Sequence, residues 1–187
     1  GFVDIHTSLS PNVWLEQNGI KTFSDSKGEW KARFHTSGAS AFLILHDKND
    51  QKTLNKVRSI IENLPHSQRK LFRVVDRAEM DRIGAATDVQ LAIATIPGIS
   101  VSSSNKGNVI NPAHGGTHGF YPDFPEIQTG FIVSGAGITK GAVIPQMGLE
   151  DIAPLIAKLL GLNYTAPDGV LFPGLLKGKQ VNLTSYK

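Results

Sequence analysis

The spacing of apolar residues along this chain switches repeatedly between two and roughly 3.6, and that switching most constrains what it can fold into. Trp30, Ala32 and Phe34 alternate with Lys31 and Arg33, the pattern of a half-buried strand. Thr36-Ser37-Gly38 reads as a turn and Ala41 to Leu45 as an apolar return strand, so Gly28 to Asp47 reads as a hairpin. Leu54, Val57, Ile60, Ile61 and Leu64 then fall at helical spacing, with Asp50 placed to cap the helix and Pro65 to end it. Phe72 to Val75 is a short strand, Asp76 and Glu79 form a capping box for a helix that stops near Gly84, and Leu91 to Ile96 is an apolar strand closed by Pro97-Gly98. Strands alternating with helices in this way predict an α/β protein.

The flanks are less regular. Pro11 to Leu15 reads as a short helical turn stopped by Asn18-Gly19. Ile99 to Asn111 is rich in Ser, Asn and Gly and reads as a loop or an edge hairpin. Phe131-Ile132-Val133-Ser134 reads as a compact buried strand ending in Gly135-Ala136-Gly137. Asp151 is placed to cap a helix with Ile152, Leu155, Ile156, Leu159 and Leu160 on one face, Pro154 in its first turn and Gly161 after its end. From Asn163 the tail is loop-like.

With 187 residues, 40% hydrophobic and 19% charged, the chain has the composition of a folded soluble protein of one domain, or of a core with a small inserted lobe. Its net charge of +3 is scattered. Arg69, Lys70, Arg73 and Arg77 are interrupted by apolar residues and read as a solvated face, with no nucleic-acid patch. Cysteine is absent, which excludes disulfides and thiolate metal sites. No apolar run reaches the ~18 residues of a membrane span. Gly1-Phe2-Val3-Asp4 reads as the middle of a longer protein, and the compartment stays unassigned.

The chemistry concentrates in His114-Gly115-Gly116-Thr117-His118-Gly119-Phe120. Glycines around an imidazole permit turns that other residues resist, and neutral imidazole is a common zinc donor. His118 therefore reads either as a metal ligand or as a plain turn residue. A catalytic zinc takes about three protein ligands and an open position. His114 lies four residues before His118, but Gly115 and Gly116 argue against the helix that would bring the two rings together, leaving His114 a loop residue or an outer-shell group. Asp4 and His6 would share one face of a strand, where a carboxylate can orient an imidazole; a polar strand edge is the competing reading. His35, His46 and His66 read as surface residues. Ser102-Ser103-Ser104 lacks the glycine elbow of a nucleophile, Gly135 to Lys140 has the wrong spacing for a phosphate loop, and capping accounts for Glu150 and Asp151.

The second half of the chain resembles the type I phosphodiesterase/nucleotide pyrophosphatase branch of the alkaline phosphatase superfamily. The resemblance rests on Gly116-Thr117-His118-Gly119-Phe120-Tyr121-Pro122, Pro125-Glu126-Ile127, Phe131 to Ile138 and Gly141. It continues through Leu149 to Pro154, Leu159 to Leu162 and Asp168-Gly169. It implies the C-terminal part of an alkaline phosphatase-like sheet-and-helix core with a small α/β insertion: core over 1–27, insertion over 28–98, core with the Gly-x-His-Gly metal motif over 99–187. It also implies two divalent metal ions, zinc in most members, with His118 a ligand of one, and a phosphate-ester or nucleotide-like substrate. By the same resemblance the nucleophile and the remaining ligands lie upstream of Gly1, so this chain alone is expected to be inactive and to bind no metal stably. A sulfatase- or phosphomutase-type hydrolase and a non-catalytic interaction module are the alternatives, and an exposed sheet edge would favour self-association.

Overall fold

A computed structural model describes residues 2–23, 28–123 and 125–177. It is a mixed α/β protein that divides into two compact units, Gly1–Thr129 and Gly130–Lys187.

Among the described residues, the first unit holds two four-stranded sheets. In one, β1 (Val3–Leu9) pairs in parallel with β6 (Gly98–Val101), and its other edge is shared by the antiparallel β7 (Ile110–Pro112) and β8 (Gly116–Thr117). The other sheet is antiparallel, in the order β2 (Ala32–Ser37), β3 (Ser40–Leu45), β5 (Val89–Thr95), β4 (Phe72–Val75). The hairpin read from the sequence is present, but Thr36 and Ser37, read there as part of the turn, pair within β2, and the two-residue turn falls at Gly38 and Ala39. Gly38 takes a φ of 62° there, a conformation side-chain-bearing residues resist.

The helices start and stop where local chemistry demands. Asn18 ends α1 (Pro11–Gln17). Asp50 accepts the Thr53 N–H at 2.9 Å and starts α2 (Gln51–Glu62). Pro65 ends that helical run and precedes the short α3 (His66–Arg69). Asp76 accepts the Glu79 N–H at 2.8 Å and starts α4 (Arg77–Arg82). Only half of that capping box closes, because the Glu79 carboxylate turns instead to Arg73, 2.8 Å away.

Strand alternation gives the antiparallel sheet two apolar faces. One packs Ala41, Leu43, Leu45, Leu91 and Ile93 against Trp14 and Leu15 of α1 and Leu54, Val57 and Ile61 of α2. The other sets Ala92 and Ala94 with Val75 and Met80, and Tyr121 packs against that cluster. The β2 edge is closed by a side chain. Buried Asn12 donates to Phe34 O at 3.0 Å and accepts from Phe34 N at 2.7 Å, so one amide stands in for a neighbouring strand.

Ile99 to Asn111 is more ordered than its composition indicates. Gly98–Val101 and Ile110–Pro112 flank β1 on opposite edges and do not form a hairpin with each other. The intervening loop is tied down by Glu16, whose carboxylate accepts from Thr22 N at 2.9 Å, Thr22 Oγ1 at 2.6 Å and Asn105 Nδ2 at 3.2 Å.

In the second unit, α5 (Ile152–Leu159) follows a 3₁₀ turn at Leu149–Asp151. Asp151 is buried, and its carboxylate makes no cap to α5 of the expected kind. One oxygen reaches back to Gly148 N and the other takes Val170 N, both at 2.8 Å, so it ties the helix entry to the Pro167–Gly169 turn. The expected apolar face of α5 is mostly uncovered: Leu155 is buried and Ile152 half-buried, while Ile156, Leu159 and Leu160 are exposed.

Phe131-Ile132-Val133-Ser134 is not a buried strand. It is irregular, and Ile132 is 96% exposed. A strand exists by virtue of a neighbour that takes its alternate N–H and C=O groups. Among the described residues of this unit, β pairing is limited to the bridge between Ile138 and Leu176. The apolar run has no sheet to join there. Among the described residues, no helix is long and apolar enough to cross a membrane.

Candidate functional site

Register on the β1 edge places the histidine loop. Asp4 pairs with Gly116 and Thr7 with Pro112. Three steps along β1 therefore face four along the returning chain, a one-residue bulge that falls on Ala113, His114 and Gly115. Gly115 takes the positive φ of 98° that the bulge requires, and its carbonyl accepts Ile5 N–H at 2.8 Å. His114 stands exposed at this bulge, away from helical geometry, as the glycines indicate.

His118 follows β8 directly, after the buried Thr117. Its backbone and its ring are in opposite situations. The His118 carbonyl accepts Ala39 N–H at 2.8 Å, and the next carbonyl, Gly119, accepts Ser40 Oγ at 2.6 Å. The imidazole is exposed, lies edge-on to the Phe2 ring at a centroid distance of 6.0 Å, and its nitrogens make no hydrogen bond among the described residues. The main chain under this imidazole is held, so little backbone order would remain to be imposed on a ligand's arrival.

Just beyond, Tyr121 holds the loop's exit. The Arg73 guanidinium sits 3.9 Å above the Tyr121 ring centre, bonds Glu79 at 2.8 Å and lies 3.7 Å from Asp123. Hydrogen bonding to Glu79, followed by burial, pushes the Tyr121 phenol up. The same contact, with Arg73 adding to it, holds the Glu79 carboxyl below its ordinary value. Two members of the basic cluster at 69–77 are thus committed within the fold: Arg73 here, and Arg77 to Asp81 and to the carbonyls of Ala86 and Val89.

Asp4 and His6 both lie on β1 and both are exposed, as alternation requires. The His6 ring is oriented by its neighbour, with Nδ1 2.9 Å from Thr7 Oγ1, and not by Asp4. The ring covers Gly98, where an added methyl group would strike it. His35, His46 and His66 are exposed as expected. Among the described residues, no three His, Asp or Glu side chains gather closely enough to hold a metal ion. The fold fixes His118 and does not assemble a centre around it from these residues.

Gly38, Ser40, Arg73 and Glu79 escape sequence reading as parts of this site. Gly38 is legible as a turn, but what the turn touches lies about eighty positions away in the chain. Compared with protein-family models, curated proteins and solved structures, the chain matches none.

Proposed function

We propose that this chain carries the metal-binding histidine loop of a metal-dependent phosphodiesterase of the alkaline phosphatase type, with His118 one ligand of a two-metal centre. The observation that carries the reading is the contrast at His118 between two anchored carbonyls and an exposed imidazole whose nitrogens make no hydrogen bond among the described residues. The sequence resemblance from Gly116 to Gly169 supplies the reaction class. His118 suits one position in a zinc coordination sphere, and the described residues supply no set of partners to complete it. When bound, such a metal pair activates an oxygen nucleophile and stabilises the leaving oxygen. The chain's own part is to present one imidazole from a braced loop.

The test uses the protein as its gene encodes it, assayed on bis(p-nitrophenyl) phosphate with zinc and after chelation. Zinc-dependent turnover is expected to fall by more than about 100-fold in His118→Ala, beyond the 10–100-fold typical of outer-shell partners. His114→Ala is expected to stay near wild type. Unchanged turnover in His118→Ala contradicts the assignment. Preferential turnover of p-nitrophenyl phosphate or p-nitrophenyl sulfate would move the reading to a phosphomonoester or sulfate-ester hydrolase on the same loop.

A second reading, an interaction module, is favoured by the second unit's surface, where Ile132 is 96%, Val143 86% and Leu149 71% exposed. Absence of hydrolysis together with a stable complex whose formation buries these side chains would support it.

A further inference from the structure

We propose that the β2–β3 turn is the mount of the histidine loop, and that Gly38 and Ser40 are positioning residues for His118. As a statement about metal binding, this rests on the reading of His118 given above; as a statement about geometry, it stands on contacts within the first unit.

The turn grips the loop at two consecutive carbonyls: Ala39 N–H to His118 O at 2.8 Å, and Ser40 Oγ–H to Gly119 O at 2.6 Å. The two backbones approach so closely that glycine is required on both sides. An added Cβ at Gly38 would land inside the His118 carbonyl, and one at Gly119 inside the Ser37 carbonyl. Both glycines also carry positive φ, 62° and 77°. With Thr117 paired to Val3 before it and the carbonyls on either side of Gly119 held after it, the imidazole keeps little freedom beyond rotation about its own side-chain bonds.

A grip positions a loop only if the turn is itself held. Gly38 O accepts Val101 N–H of β6 at 2.7 Å, and Ala39 O accepts Thr95 N–H at 3.0 Å and Thr95 Oγ–H at 2.8 Å. The hydrogen bonds therefore form a closed circuit. Starting from β1, it passes to β6, from Val101 to Gly38, through Ala39 to His118, into β8 and back to β1. Displacing any member strains its neighbours. The antiparallel sheet, remote in sequence from the histidine loop, thereby sets where His118 stands. Arg73 on that sheet's far edge strand and Glu79 on α4 hold Tyr121, which restrains the loop where it leaves.

The test compares Ser40→Ala and Gly38→Ala with Gly84→Ala. Gly84 has the same kind of strained backbone, φ 72°, but its added methyl group would meet only open space. The geometric readout is the nuclear Overhauser contact between the Phe2 and His118 rings, with that between Trp30 and His46, whose rings are 5.0 Å apart, as internal reference. The Phe2–His118 contact is expected to weaken several-fold in Ser40→Ala and Gly38→Ala, to hold in Gly84→Ala, and the reference to hold in all three. If Gly38→Ala does not fold, Ser40→Ala decides. Wild-type Phe2–His118 intensity in Ser40→Ala overturns the mount.

The metal readout is the dissociation constant for zinc alone in the gene-encoded protein, expected to rise about 10–100-fold in Ser40→Ala and to stay unchanged in Gly84→Ala. Ring contacts that shift as expected in a protein that binds no zinc through His118 uphold the mount and retire the metal reading. An unchanged zinc constant in Ser40→Ala, in a protein that does bind zinc through His118, retires the mount and leaves the metal reading standing.

Discussion

Replacing Asn12 by leucine isolates how the β2 edge is held. Leucine keeps similar bulk and removes both polar atoms, so Phe34 N–H and C=O lose their partners in a buried position. Each unsatisfied buried group costs about 1–3 kcal/mol, which puts the pair at about 4 kcal/mol. That is a large share of the about 5–15 kcal/mol that stabilises an ordinary domain. At about 2–4 °C per kcal/mol for a chain of this size, the thermal midpoint is expected to fall by about 8–16 °C. Asn12→Asp gives an independent arm. It retains the acceptor for Phe34 N–H but sets a carboxylate oxygen against the Phe34 carbonyl, so it is expected to be no better than leucine. Calorimetric or denaturant unfolding measures the loss, and hydrogen exchange at the Phe34 amide locates it. A leucine variant within about 0.5 kcal/mol of wild type, or an unchanged Phe34 exchange rate, refutes the idea that Asn12 closes the sheet.

Two further outcomes follow from the ionisable groups. Burial acts to raise the Glu16 carboxyl, but hydrogen bonds from the Thr22 hydroxyl and backbone and from Asn105, with the Lys106 charge, outweigh it and hold the group below its unfolded value of 4.5. A depressed folded value stabilises above the unfolded one and is lost as the pH falls through the folded one. The wild-type advantage over Glu16→Gln is therefore expected in full at pH 7 and to vanish under strong acid, read from urea midpoints at both; an advantage independent of pH contradicts the charge assignment. Tyr121 is expected to ionise above the ordinary phenol value of 10.0 because Glu79 accepts from it. Difference absorbance against Tyr121→Phe should show its titration moving down in Glu79→Gln, and a Tyr121 titration unmoved by that change contradicts the contact.

Local signals made much of the antiparallel sheet legible. Asp50 and Asp76 start helices because a side-chain oxygen can reach an N–H three residues on, and Ala41 to Leu45, an apolar run, and Phe72 to Val75 are short strands bounded by turn and cap residues. What joins distant segments was not legible. The pairing of β1 with β6 and the Asn12 amide beside Phe34 depend on residues with no shared pattern. Phe131 to Ser134 misleads for a related reason: an apolar run records a preference for burial and not whether a neighbouring strand is there to satisfy it. At the candidate site, the glycines announce an imidazole on a loop. The part that braces it is a backbone-to-backbone approach between Gly38 and Gly119, which leaves no side-chain signature beyond two glycines among nineteen.

Anomalous scattering at the zinc edge, from crystals of the gene-encoded protein grown with zinc, tests the central claim most directly. The expected result is a zinc peak about 2.0–2.1 Å from an imidazole nitrogen of His118, with the His118 and Gly119 carbonyls still bonded to Ala39 and Ser40. Zinc coordinated elsewhere, with the His118 ring left unligated, contradicts it.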